Sequence, residues 1–308
     1  MTQRSASKVI QASPISTAVG LSFIAREPER SVARPFLKWV GGKTQLLAQV
    51  GEFYPETYGI YFEPFLGGGA MYFDLRPKTA VLNDVNPALI ACYANIQKSP
   101  GAVIKILQGL QQEYVQSSEQ ARAEIFYRIR SEYNTLADTV PQKTAYLIFL
   151  NKTCYNGMYR ENSKGQFNVP FGRYRNPKIL DEENLRNVSS VLATATLSSS
   201  SFEQAVREAK KNDFVYFDPP YHPLSHTSSF TSYHSQNFSQ ADQVKLRDIF
   251  VDLHERGCFV MLSNSYSDFV RRLYRGFYQH TMLANRAINC KATGRGKIKE
   301  LLVTNYKA

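Results

Sequence analysis

The sequence predicts an α/β fold: a sheet whose strands alternate with helices, interrupted by an inserted subdomain of helices and a hairpin. Three observations carry this. Short apolar runs at Ile60–Phe65, Ala80–Asp84, Leu192–Leu197, Phe214–Asp218 and Cys258–Ser263 read as buried strands. A glycine-rich turn, Leu66–Ala70, follows the first run and leads into a helix. From Pro87 to Leu150 apolar residues recur at three- and four-residue spacing, which breaks the alternation and marks an insertion.

In chain order, residues 1–34 are rich in Ser, Ala, Arg and Gln without periodicity and read as a mobile N-terminal arm. Phe36-Leu37-Lys38-Trp39-Val40-Gly41-Gly42-Lys43-Thr44 follows, with a helix expected after it that presents Leu46, Leu47, Val50 and Phe53 on one face. Gly-Gly-Lys-Thr imitates the end of a P-loop, but that motif needs glycine where Leu37 stands, and no strand precedes it. What remains is a glycine turn presenting the only tryptophan, Trp39, and a lysine, Lys43, able to receive an aromatic ring and a carboxylate.

Glu63-Pro64-Phe65 leads into Gly67, Gly68 and Gly69, where backbone can approach a ligand closely and a helix N-terminus offers free N–H groups. The next strand ends at Asp84, 21 positions after Glu63. An acid so placed commonly binds ribose hydroxyls, and the lack of a G-x-G-x-x-G spacing favours a single-nucleoside cofactor over a dinucleotide. Helical stretches at Ala88–Ile96, Ala102–Val115, Ala121–Leu136 and Ala145–Leu150 then run into Tyr155-Asn156-Gly157-Met158-Tyr159-Arg160 and Ser163–Gly172. Asn-Gly and alternating aromatics there predict a hairpin or twisted loop, a shape that can enter a DNA groove.

The strand Phe214–Phe217 ends in Asp218-Pro219-Pro220-Tyr221. Proline fixes its own φ, so this corner is stiff. The Asp218 carboxylate and the Pro219 carbonyl are acceptors, and Tyr221 adds a flat π-face. The combination suits a planar ring bearing an NH2 group, as in a nucleobase. Past it lie a long hydroxyl-rich loop, His222–Asn237, and a helix capped by Ser239 and Asp242 with Val244, Ile249, Phe250 and Leu253 facing inward. Short elements at 267–283 and a final strand at Glu300–Asn305 complete the chain.

Net charge is +11, from 37 basic and 26 acidic residues, which points to a polyanion such as nucleic acid. The basic residues cluster at Arg160, Lys164, Arg173, Arg175 and Lys178, and again at Arg286, Lys291, Arg295, Lys297 and Lys299; both clusters read as loops. No apolar run is long enough to span a bilayer, and the N-terminus lacks a secretory pattern. The four cysteines are scattered with no C-x-x-C pair, so reduced thiols in a cytoplasm and no metal are expected.

Taken together, Phe36–Lys43, Tyr61–Gly69, Phe167–Pro177, Asp213–Tyr221 and Phe230–Tyr233 resemble the Dam family of DNA adenine-N6 methyltransferases of the D12 class, especially the GATC methylases of Dpn-type restriction–modification systems. The likeness runs from Pro35 to Tyr306. It implies a Rossmann-like S-adenosylmethionine-dependent methyltransferase sheet, with residues 35–86 and 191–308 catalytic and 87–190 an inserted target-recognition subdomain. It implies S-adenosylmethionine contacts from Trp39, Lys43, Glu63, Phe65, Gly67, Gly69, Asp84 and Asp218, with Phe202 against the cofactor's adenine. Relatives often carry an acid just before that aromatic, where this chain has Ser201. Asp218, Pro219 and Tyr221 are the implied catalytic corner.

For DNA, the resemblance implies contacts from Lys38, Tyr155, Asn156, Met158, Arg160 and Pro170, with Arg173 in the basic segment beside them. Arg160 would read a guanine edge, Met158 and Pro170 would meet thymine methyls, and Tyr155 and Asn156 would wedge near the opened pair. The partner is double-stranded DNA, the protein a cytoplasmic, nucleoid-associated monomer or weak dimer, with a cognate restriction endonuclease possible in the same system. Two rivals are a protein or small-molecule N-methyltransferase on the same fold, which the basic hairpin and net charge oppose, and a non-catalytic DNA-binding protein with a relic fold, which the intact Asp218, Pro219, Tyr221 and Gly67–Gly69 oppose. Amide methyltransferases more often open the Pro-Pro-aromatic corner with Asn, and cytosine-N4 methylases with Ser.

Overall fold

The structure is a computed structural model, and it describes residues 33–223, 238–285 and 297–307. Seven strands form one sheet in the order β3-β2-β1-β4-β5-β7-β6. They are β1 (Tyr61–Glu63), β2 (Ala80–Asn83), β3 (Ala195–Ser198), β4 (Phe214–Phe217), β5 (Phe259–Ser265), β6 (Tyr278–Asn285) and β7 (Lys297–Thr304). The first five run parallel; β7 inserts antiparallel between β5 and β6. The expected α/β class is thus realised.

Strand β4 shows why the sheet needs cover on both faces. All four of its residues are buried. Phe214 and Tyr216 join one apolar cluster while Val215 and Phe217 join the other, as the two-residue period of a strand requires. Strand β1 divides likewise, with Tyr61 on one side and Phe62 on the other. Pro64, which has no N–H to donate, follows Glu63 where β1 stops, three residues short of the expected span's length.

The expected helix after Thr44 is only one turn, α1 (Leu47–Val50), followed by a 3-10 turn over Gly51–Phe53. Gly51 and then Pro55 in the sequence explain the early end. Helix α2 (Ala70–Leu75) begins at Gly69, whose φ of 69° is left-handed and suits a residue without Cβ. The helical stretch comprises α3 (Pro87–Lys98), α4 (Pro100–Gln116), α5 (Glu119–Tyr133) and α6 (Pro141–Thr153). Helix α6 is the pillar of this layer. Its residues Thr144–Asn151 are all buried, so it is covered on every side, and α3, α4 and α5 pack on it.

Helix α7 (Glu182–Leu192) was not among the expected elements. It ends at Leu192, so the third strand begins later than expected, at Ala195. Helix α8 (Phe202–Ala205) is a single turn capped by the Ser201 hydroxyl. Helix α9 (Gln240–Glu255) has the predicted capping box: the Asp242 backbone donates to Ser239 Oγ at 3.2 Å and the Ser239 backbone to Asp242 Oδ2 at 2.8 Å. Its buried face is Gln243, Leu246, Phe250 and Leu253; Val244 and Ile249 are only half-buried, which corrects the expected face by a small rotation. Helix α10 (Asp268–Leu273) and β6 account for the expected short elements. Lys297 and Lys299 lie on β7 rather than in a basic loop. Phe230–Tyr233, Arg286, Lys291 and Arg295 lie outside the described residues.

Candidate active site

Strands β1, β2 and β3 are laid down in one direction from β1, and β4 and β5 in the other, so the order reverses between β1 and β4. The carboxyl ends of strands flanking such a reversal form a crevice. Glu63 ends β1 and Asp218 follows β4, which places both acids there.

Lys43 links the glycine turn to this crevice. It is buried; its Nζ donates to the Gly41 carbonyl at 2.6 Å and stands 2.9 Å from Asp218 Oδ1. The contact with Asp218 is a buried ion pair. The same ammonium lies 4.7 Å from the centroid of the Tyr221 ring, a cation–π contact. Pro219, between Asp218 and Tyr221 in sequence, is buried. The tyrosine hydroxyl donates to Glu300 Oε2 at 2.6 Å. Asp218, Pro219, Tyr221 and Lys43 are therefore one constellation.

Burial raises the Asp218 carboxyl above its ordinary range; the Lys43 ammonium opposes that rise and Glu300 adds to it. Its side chain keeps 18% exposure, enough for contact with water. Glu63 is more enclosed, at 2% exposure, and burial pushes it up to about 8. The Tyr61 hydroxyl, donating to Glu63 Oε2 at 2.8 Å, works against this rise, while Asp218 and Asp84 reinforce it.

The glycine turn is held from several sides. Asp84 Oδ2 accepts from the Gly67 backbone at 2.9 Å, and Oδ1 from the Asn86 backbone at 3.0 Å. Tyr93 donates to the Gly67 carbonyl at 3.1 Å. Gly67 itself has φ of 49°, and a Cβ there would stand 3.0 Å from the Trp39 ring. Trp39 thus packs directly on the turn, and it also stacks on Tyr159 with centroids 5.0 Å apart. Phe65 stacks on Phe202 at 5.5 Å, beside Phe238. Phe202 is half-buried, and Ser201 before it serves as a helix cap.

The proposed DNA residues form a second group that touches the first. The chain from Tyr155 to Gly172 is a hairpin-like loop: Cys154 bridges Phe171, Glu161 bridges Phe167, and the Tyr155 backbone donates to the Pro170 carbonyl at 2.9 Å. Asn156 has φ of 55° and Gly157 φ of 61°, so the Asn-Gly dipeptide makes a left-handed turn here. Tyr155 is 53% exposed and Pro170 is exposed, while Met158 is half-buried. Arg160 is steadied by Asn168, donating from Nε to its side-chain oxygen at 2.7 Å.

Asn151, on α6, ties the two groups together, and the sequence reading missed it. Its Oδ1 accepts from the Lys38 backbone at 2.8 Å; its Nδ2 donates to the Lys38 carbonyl at 2.9 Å and the Gly157 carbonyl at 3.0 Å. The available signal was a polar residue directly after the apolar run Ala145–Leu150 of that helix. Lys38 is exposed and lines a groove of about 370 Å³ with Lys152, Gly157 and Arg175. Arg173 stands apart, in a second groove of about 390 Å³ with Ser117, Arg122 and Arg175.

The acceptors Glu63, Asp84 and Asp218 suit a cationic, hydroxyl-bearing ligand, and Lys43 suits an anionic group on the same ligand. That donor and acceptor set fits S-adenosylmethionine, which carries a sulfonium, an ammonium, a carboxylate and ribose hydroxyls.

Comparison with known proteins shows the family. Residues 39–288 match the family model of the D12 class N6 adenine-specific DNA methyltransferases. The chain is 46% identical over 278 residues to the type II methyltransferase M1.LlaDCHI of Lactococcus lactis, covering 89% of this chain and 95% of that one. It is 44% identical over 286 residues to the type II methyltransferase M.MjaIII of Methanocaldococcus jannaschii, covering 89% and 99%. It is 36% identical over 270 residues to a DNA adenine methylase of Vibrio cholerae, covering 87% and 95%. The seven-stranded α/β sheet, the acidic crevice and these likenesses converge: the chain belongs to the D12 class of N6 adenine-specific DNA methyltransferases.

Proposed function

We propose that this adenine methyltransferase modifies N6 of adenine within GATC in duplex DNA, with S-adenosylmethionine as donor, and that Asp218, Pro219 and Tyr221 are its catalytic corner. The observation that carries the reading is the joint placement of the Asp218 carboxylate and the Tyr221 ring at the sheet's reversal, with Lys43 beside both.

The adenine amine is a weak nucleophile because its lone pair is delocalised into the ring, and in a duplex it is out of reach. The base must leave the stack, at a cost of a few kcal/mol. Tyr221 recovers part of this, since base–aromatic stacking is worth roughly 1–3 kcal/mol. Lys43 now stands where that amine has to come, so it must withdraw from Asp218 first. The Asp218 carboxylate and the Pro219 carbonyl then accept the two N6 hydrogens and aim the lone pair. When bound, S-adenosylmethionine supplies an electrophilic methyl group on sulfur. The N6 lone pair forms the new N–C bond, and the C–S bonding pair stays on sulfur. The surplus N6 proton passes to Asp218 and on to water at its exposed edge. Catalysis is thus positioning plus hydrogen bonding to an amine that becomes cationic.

In the donor pocket, Glu63 faces the ammonium, Asp84 the ribose, Lys43 the carboxylate, Trp39 and the Phe65–Gly69 turn the methionine end, and Phe202 the adenine. In the DNA half, residues 87–190 act as the target-recognition subdomain. Arg160 reads a guanine edge, Met158 and Pro170 meet thymine methyls, Tyr155 and Asn156 hold the opened pair, and Lys38 and Arg173 lie along the strand. The Asn151 bridge between Lys38 and Gly157 supports a recognition turn held in register with the donor turn. Asp218→Ala tests the reading: methyl transfer from labelled donor to unmethylated DNA should fall to background while the protein stays folded and still binds DNA. Near-full activity would overturn it.

A further inference from the structure

Among the described residues, the Tyr221 hydroxyl is held from a distant strand. It reaches Glu300 Oε2 at 2.6 Å, 79 positions away in sequence, on β7. Glu300 pairs in register with Ser265 of β5 and Met282 of β6, so it is anchored in the sheet on both sides. A side chain fixed in this way sets where the ring lies. The hydroxyl also keeps its proton to give. Burial above all, then the nearby Asp218 and Glu300 charges, pushes the phenol well above its ordinary range. The ring face already holds a cation, the Lys43 ammonium.

We propose that Glu300 is a positioning residue for methyl transfer: its carboxylate fixes the Tyr221 ring and, by drawing on the phenolic proton, makes that ring a better platform for a base acquiring positive charge. The proposal rests on the reading of Tyr221 as the target-base platform. A phenol that donates to a carboxylate holds more electron density in its ring than one that donates to water, and the attraction of a cation to the face grows with that density. The ground-state base is neutral and the reacting base is cationic. The effect therefore falls on the rate of transfer more than on binding of DNA.

The test is a double-mutant cycle on the full-length protein, with plasmid DNA from a host lacking adenine methylases. Glu300→Gln preserves size and an acceptor oxygen but removes the charge. It should lower kcat about threefold to tenfold and change KM for DNA by less than about twofold, in line with an interaction of cation–π strength. In a Tyr221→Phe background, which lacks the hydroxyl, Glu300→Gln should have a much smaller effect, limited to what the lost charge does to the Asp218 carboxyl. Glu300→Ala, losing the tether as well, should cost more than Gln. Thermal melting and donor affinity of the Gln variant should match the wild type. An unchanged kcat in Glu300→Gln would overturn the proposal. So would an equal loss in the Tyr221→Phe background, since Glu300 would then act without the ring. Asp218→Ala, run beside these, separates the two ideas: its activity bears on the catalytic corner, whereas the cycle bears on Glu300.

Discussion

Replacing Glu63 by Gln should flatten the pH dependence of stability that this buried carboxyl imposes. Glu63 is 2% exposed, its side-chain donor is the Tyr61 hydroxyl, and burial holds it near 8 against an ordinary value of about 4.5. The folded protein therefore keeps a proton between those values that the unfolded chain has released. Stability from this group is fully present below about 4.5 and is lost as pH rises towards 8. Each pH unit of that window is worth about 1.4 kcal/mol. The cost should thus reach roughly 3–5 kcal/mol by pH 8 and level off above it. Gln, always neutral, avoids it. Urea denaturation at pH 6, 7 and 8 is the assay, and the difference between wild type and Glu63→Gln cancels the other carboxyls. The variant should gain stability relative to wild type by roughly 1 kcal/mol per unit. If Glu63 faces the donor's ammonium, donor affinity of the wild type should rise with pH over the same range and that of the variant should not. Parallel stability profiles for the two proteins would refute the reasoning.

Asn151→Ala should remove three hydrogen bonds and leave the Lys38 and Gly157 backbone groups unpaired, destabilising by about 2–4 kcal/mol; thermal melting checks this, and a shift within 1–2 °C would contradict it. Arg160→Ala should reduce discrimination between GATC and sites altered at the guanine by about 5- to 150-fold, the worth of a bidentate guanine contact. Competition between the two duplexes measures it, with unchanged discrimination the opposing result.

Much of the fold was legible because the sheet's interior strands are short, continuous apolar runs between turn residues. Phe214–Phe217 is the clearest, and the corner after it announces itself by two prolines. The helix after Thr44 was overread, since its apolar spacing ran on through Gly51, where the backbone tightens into a 3-10 turn. Helix α7 has a regular helical period, with Leu185, Val188 and Leu192 on one buried face, but its last apolar residue, Leu192, runs on into the strand and was assigned to it. Of the crevice, the residues adjacent in sequence were readable. Contacts across long separations were not: Asn151 with Lys38 is 113 positions apart, and Tyr221 with Glu300 is 79. No local spacing encodes those; they follow from the order of strands and the packing of α6. Asp84 illustrates a mixed case. Its place at a strand end was visible, but its hold on the Gly67 backbone depends on how the turn folds back.

The most direct measurement is a map of methylated adenines in the DNA of a host without other methylases that expresses this chain or its Asp218→Ala form. N6-methyladenine confined to GATC with the wild type, and absent with Asp218→Ala, is the predicted result. Methylation at other sequences would contradict the proposed readout, and methylation surviving the loss of Asp218 would contradict the catalytic corner itself.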